Sequence, residues 1–173
     1  MPHPAGAGRG TQGMEESEMN QDAAHELSLT KLLDSPAEKL YRLWTDPARM
    51  ADWFCPKPWT VSHAELDVRP GGRCNVTMQG PGGEGMANPG QYLEIVPNRK
   101  IVFTDAFTGD WKPKDGAPFM VATVTFEPQG GKTRYRAVVR HWNEADKKKH
   151  EEMGFQSGWG IAADQLDALA KTL

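Results

Sequence analysis

Most folds are ruled out for this chain by the order of its two hydrophobic periodicities. Between Trp59 and Trp142 apolar residues alternate with polar ones in short runs separated by turn residues; from Phe155 onward they recur by fours and threes. Phe155, Trp159, Ala162, Leu166, Leu169 and Leu173 draw one apolar stripe along a single helix. An antiparallel sheet with one apolar face needs a cover, and this helix is the only element long enough to supply it. The order predicts an α+β fold.

Punctuation divides the sheet. Arg69-Pro70-Gly71-Gly72, Pro97-Asn98-Arg99 and Gln129-Gly130-Gly131 are turn stretches. Between them the alternation predicts strands at Val61–Val68, Arg73–Gln79, Gly90–Val96, Ile101–Phe107, Phe119–Glu127 and Thr133–His141, preceded by a first strand at His25–Leu33. Seven strands result. Gly80–Pro89 and Thr108–Pro118 are rich in Gly, Pro and polar residues and are expected to be loops.

Two short helices are expected between strands 1 and 2. Ser35-Pro36-Ala37-Glu38 has the residues of a capping box with Pro at the first helical position, and Asp46-Pro47 repeats the start signal before Met50, Trp53 and Phe54. Asn143 is placed to cap a polar helix before the final one. Residues 1–22, with little that is apolar, are expected to be a disordered tail, leaving one domain over residues 23–173.

Composition narrows the partners. A formal net charge of -3, with both signs interspersed, offers no basic face for a nucleic-acid backbone. No run approaches the roughly 20 apolar residues of a membrane span, and no signal-peptide core is present at the N-terminus, so a cytoplasmic location is expected. Cys55 and Cys74 form neither a disulfide framework nor a CxxC motif and are expected to be buried free thiols. The five histidines lack ligand spacing, and His150-Glu151 misses the second His of HExxH because Gly stands at position 154, so no metal is expected. Without GxSxG, Walker or GxGxxG patterns there is no nucleophile elbow and no sign of a cofactor.

Particular residues now carry a resemblance. Arg42-Leu43-Trp44-Thr45-Asp46-Pro47, Asp52-Trp53-Phe54-Cys55-Pro56-Lys57, Asp67-Val68-Arg69-Pro70-Gly71-Gly72-Arg73, Val102-Phe103-Thr104-Asp105, Val124-Thr125-Phe126 and His150 to Trp159 occur in this order. Over about His25 to Leu173 the chain resembles the activator of heat-shock protein 90 ATPase homologue family, of the START-like, Bet v 1-like (SRPBCC) helix-grip superfamily. The resemblance implies a curved seven-stranded antiparallel sheet around the C-terminal helix, with a cavity that in relatives holds lipids, sterols or polyketides. The eukaryotic co-chaperone that names the family has a further N-terminal domain where this chain has a short tail, which ranks a chaperone partner and a stress-response role below ligand binding.

Strand parity selects the residues expected around the cavity. Cys74, Val76 and Met78 share one face; Met120, Ala122, Val124 and Phe126 another; Tyr135, Ala137, Val139 and His141 a third. The expected cavity set is Trp53, Cys74, Val76, Met78, Tyr92, Phe103, Asp105, Tyr135, Val139, His141, Phe155 and Trp159. Asp105 and His141 both fall on apolar parities, so an Asp/His pair inside the cavity is one expectation. Tyr92 and Glu94 share a parity and are read as a solvated face. Gly154, Gly158 and Gly160, each costing about 1 kcal/mol in a helix interior relative to Ala, suggest close approach of backbone or ligand at the start of the final helix.

The leading expectation is a non-enzymatic binder of a hydrophobic or aromatic small molecule, monomeric or homodimeric. A cyclase- or hydratase-type enzyme using His141, Asp105, Glu94 or Tyr135 is the first alternative, and a chaperone-associated interaction module the second.

Overall fold

The computed structural model describes residues 25–173, so the N-terminal segment read as a tail lies outside the described residues. The strands are β1 Glu26–Leu33, β2 Thr60–Leu66, β3 Cys74–Gln79, β4 Gly85–Asn88, β5 Gln91–Val96, β6 Lys100–Thr104, β7 Met120–Gln129 and β8 Lys132–His141. The helices are α1 Ala37–Trp44, α2 Met50–Trp53, preceded by a 3-10 turn at Pro47–Arg49, α3 Glu144–Glu152 and α4 Phe155–Ala170.

The expected single seven-stranded sheet is corrected. Among the described residues there are five strands in the order β1-β8-β7-β6-β5 and three in the order β2-β3-β4, all antiparallel. The additional strand, β4, lies within the segment expected to be a loop; it pairs Gly85–Asn88 with Val76–Gln79 at the sheet edge and is exposed throughout. Pro89 and Gly90 separate β4 from β5, and β3 then touches both: Cys74 N donates to Gly90 O at 2.9 Å, and Arg73 bridges Gln91. The sheet is thus broken at a proline, which has no N–H to contribute to the ladder.

Capping follows the sequence at two of three helix starts. Asp46 accepts from Ala48 N at 3.0 Å, and Asn143 from Asp146 N at 2.8 Å. At α1 the capping-box reading is corrected, because Pro36 is the N-cap and no side chain caps the helix. Ser35 is instead tied to the far end of the chain: its N–H donates to Asp167 Oδ1 at 3.0 Å and its carbonyl accepts from Thr133 Oγ1 at 2.7 Å.

Helix α4 is latched on both flanks. Asp167 receives the backbone N–H groups of Asp34 and Ser35, closing the β1–α1 turn onto the helix. On the other side Gln165 Nε2 donates to Trp53 O at 2.9 Å and Cys55 O at 2.7 Å, and its Oε1 accepts from Lys57 N at 3.2 Å. These bonds satisfy backbone groups that the packing of α2 and its following loop against α4 removes from water. Beneath them Leu166, Ala163 and Ala170 join Leu33, Leu40, Leu43, Ile101, Val124, Phe126 and Ala137 in the main core.

Candidate functional site

The packing is not continuous under the whole of α4. Beneath its first half lies a cavity of about 430 Å³, within the roughly 300–1,000 Å³ of small-molecule pockets. Trp44, Trp53 and Phe54 from the two short helices close one end, Cys74, Val76 and Met78 of β3 form one wall with Tyr92 and Phe103, and Phe155, Gly158, Trp159 and Ala162 of α4 form the roof. Exposed Met86 and Met153 stand at the rim, on β4 and between α3 and α4.

Local rules place these groups. The 3-10 turn turns the chain so that Trp53 comes within 4.9 Å of Trp44, ring centre to ring centre, with Phe54 edge-on to both. Trp53 Nε1 donates to Leu43 O at 3.3 Å and Trp44 Nε1 to Tyr135 Oη at 3.2 Å, which fixes both indoles. Gly154 breaks the chain between α3 and α4 with a φ of 92°, a conformation that a side chain disfavours. At Gly158 a Cβ would meet nothing nearer than Pro56 Cγ at 3.9 Å, so the missing side chain enlarges the cavity instead of easing a clash. Gly160 does not share this role; it faces Lys31.

Of the expected cavity residues, Trp53, Cys74, Val76, Met78, Tyr92, Phe103, Asp105, Tyr135, Phe155 and Trp159 line one space. Val139 and His141 do not, and their placement is corrected. Val139 packs with Leu27, Ala122 and Phe155 in a small cluster of its own, so Phe155 stands between it and the cavity. The reading of Tyr92 as solvated is also overturned: a bulge between Tyr92 and Glu94 puts them on different faces, leaving Tyr92 buried and Glu94 exposed beside Lys100 at 3.0 Å.

The Asp/His pair does not form either. Asp105 is committed to backbone and Lys114: it accepts from Phe119 N at 2.9 Å, Met120 N at 3.0 Å and Lys114 Nζ at 3.3 Å. His141 turns the other way. Its Nδ1 lies 2.8 Å from His25 O and its Nε2 2.9 Å from Nδ1 of His150, which does line the cavity. His150 stands between Phe119 and Phe155, at ring distances of 5.3 and 5.2 Å.

Electrostatics keep the site neutral. Burial pushes the Cys74 and Cys55 thiols up to about 11, away from the thiolate a nucleophile needs. Burial likewise raises the phenols of Tyr92 and Tyr135. For His150, burial first and the neighbouring His141 second push the imidazole down to about 4, so it is uncharged at neutral pH. The site can enclose an apolar body and offer it a few neutral polar atoms, beside the Asp105–Lys114 ion pair in its lining.

The sequence reading placed Trp44 at one end of the cavity and pointed to space at Gly158, as observed, but missed His150. Helix α3 buries none of its residues and shows no apolar stripe, so periodicity could not single out one histidine on it. The signal available was the aromatic company of Phe155, five residues on.

A family model described as Activator of Hsp90 ATPase homolog 1-like protein matches residues 34–171. The chain is 36% identical to a crystallised protein from Nitrosomonas europaea, covering 87% of this chain and 97% of that one with a TM-score of 0.83. Its identity to a protein from Chromobacterium violaceum is 26%, with coverages of 84% and 96% and a TM-score of 0.67. For a protein from Mycobacterium smegmatis the identity is 25%, the coverages 86% and 91% and the TM-score 0.72. None of the curated proteins matches. No helix among the described residues is long and apolar enough to cross a membrane.

Proposed function

Because the chain belongs to the Activator of Hsp90 ATPase homolog 1-like family, whose helix-grip fold commonly takes hydrophobic ligands, we propose that it binds a hydrophobic or aromatic small molecule between the sheet and the first half of α4. The observation that carries this reading is the aromatic-lined space under α4 at Gly158, where a side chain would fit without a clash. Two indoles held by hydrogen bonds, with Trp159 above, present flat apolar surface before any ligand arrives, which lowers the ordering cost of binding.

The binding takes place in the cytoplasm on this reading, in keeping with two free cysteines. A thermal-shift panel of fatty acids, sterols, flavonoids, polyketides and aromatic acids tests it. At least one class is expected to raise the melting temperature with a dose dependence, since a ligand that prefers the folded state stabilises it. No shift with any class contradicts the proposal.

A further inference from the structure

The two-histidine chain beside the cavity has a fixed direction. A carbonyl oxygen accepts and never donates, so His141 Nδ1, 2.8 Å from His25 O, must carry a proton. In the neutral imidazole its Nε2 is then bare, and the 2.9 Å contact with His150 requires the proton to sit on His150 Nδ1. Neutral His150 therefore has a bare Nε2, on a side chain that lines the cavity, and Nε2 has no hydrogen-bond partner among the described residues.

The other buried or half-buried polar side chains of the cavity do not offer this: Thr104 Oγ1 donates to Met120 O and accepts from Ala106 N, and the acceptor Asn88 Oδ1 lies on exposed β4. Asp105 spends its oxygens on two backbone N–H groups and Lys114. Tyr135 Oη already accepts from Trp44 Nε1, leaving its proton to donate, and the Tyr92 hydroxyl rotates and serves as donor or acceptor alike. His150 Nε2 is the acceptor whose sign the protein sets.

We propose that His150 Nε2 is the polar anchor of the cavity, held as an acceptor by His141 and the His25 carbonyl, and that the ligand is an aromatic molecule whose phenolic hydroxyl donates to it. The inference rests on the binding function proposed above. It also limits the selection to the neutral pair: one proton added to either ring places a hydrogen on Nε2 in both arrangements, and the anchor becomes a donor. The charged and titratable groups on the surrounding elements include His25 at the head of β1, Asp105 and Lys114 beyond β6, and Glu144, Asp146, Lys147, Lys148, Lys149, Glu151 and Glu152 on α3. Arg140 on β8 pairs with Glu26 at 3.6 Å. Asp105 and Lys114 offset one another, so no uncompensated charge at the cavity lining favours protonation.

The test compares 1-naphthol with 1-methoxynaphthalene at pH 7.5 by fluorescence titration of the full chain and of His150→Leu. The two probes share an apolar body, and only the naphthol can donate. In the native protein the naphthol is expected to bind about 5-fold or more tightly than the ether, the scale of one hydrogen bond to a neutral acceptor. In His150→Leu the ratio of the two affinities is expected to collapse to that of two probes without a donor–acceptor contact, whatever the change in the ether's own affinity. Equal binding of the two probes to the native protein, or a preference that survives in His150→Leu, overturns the assignment of His150 and leaves the cavity as a binding site. Failure of both probes to bind the native protein overturns the aromatic-phenol anchor, while the thermal-shift panel above decides the binding function separately. Long-range ¹H–¹⁵N spectra of the imidazoles supply a readout independent of the probes: a proton on Nδ1 of both His141 and His150 supports the relay, and a proton on His150 Nε2 at pH 7.5 contradicts it.

Discussion

The two halves of α4 share one helix and do opposite work. In the second half Ala163, Leu166 and Ala170 are buried in the core, and Gln165 and Asp167 bind the backbone on either flank. Around the first half, Gly154, Gly158, Trp159 and Ala162 face open space. The closed half supplies stability and position; the open half gives up packing to leave room for a ligand. A helix tethered firmly at one end can cover a cavity at the other without collapsing into it.

Substitutions in the closed half should cost the most. Leu166 is 0% exposed, and Leu166→Ala is expected to destabilise the fold by about 2–5 kcal/mol through lost burial and the hole left behind. Urea denaturation measures it, and a loss under about 1 kcal/mol would mean that this half is loosely packed too.

Asp167→Ala comes next. It strands the N–H groups of Asp34 and Ser35 and is expected to cost about 1–3 kcal/mol in the same assay. A neutral result would show that water replaces the latch.

Acid should act on the rim of the open half. His150 in the folded protein titrates near 4, below the ordinary 6.5, so the unfolded chain takes up the proton first as pH falls. This contribution to stability is complete above about pH 6.5 and is lost as the pH falls through about 4. Allowing for the ring's partial exposure, it amounts to on the order of 1–2 kcal/mol. Urea midpoints between pH 7 and 4 are expected to fall less steeply in His150→Phe than in the native protein.

Gly158→Leu should have the smallest effect on stability and the sharpest on binding. Its Cβ has room and Leu favours the helix, so stability is expected to hold or to rise by up to about 1 kcal/mol while the side chain fills the cavity. A loss of several kcal/mol would instead place Gly158 in a packed contact.

The same contrast explains what the sequence disclosed. The closed half was legible because burial imposes a period: Leu166 and Leu169 on the helix, and Val124, Phe126, Tyr135 and Ala137 on the strands, sit where alternation puts them. Most of the cavity wall followed for the same reason, since parity aims Cys74, Val76 and Met78 together. Parity says which way a residue points, not how far the neighbouring elements extend, and so Val139 and His141 were placed in a space that Phe155 and α3 close off. Strand β4 was hidden because an edge strand exposed on both faces carries no alternation; backbone pairing alone forms it. The bulge after Tyr92 shifted the phase of β5 with no turn residue to announce it. His150's role could not be read from periodicity, because it depends on a partner nine residues away across a helix–strand junction.

The central claim is that the space under the first half of α4 is a binding site. Its most direct test is ¹H–¹⁵N mapping of the six tryptophan indoles with 1-methoxynaphthalene, in the native protein and in Gly158→Leu. The account predicts shifts at Trp44, Trp53 and Trp159 that vanish in Gly158→Leu, with Trp111 and Trp142, exposed on the surface, unmoved in both. Shifts confined to Trp111 and Trp142, or shifts that persist unchanged in Gly158→Leu, would contradict it.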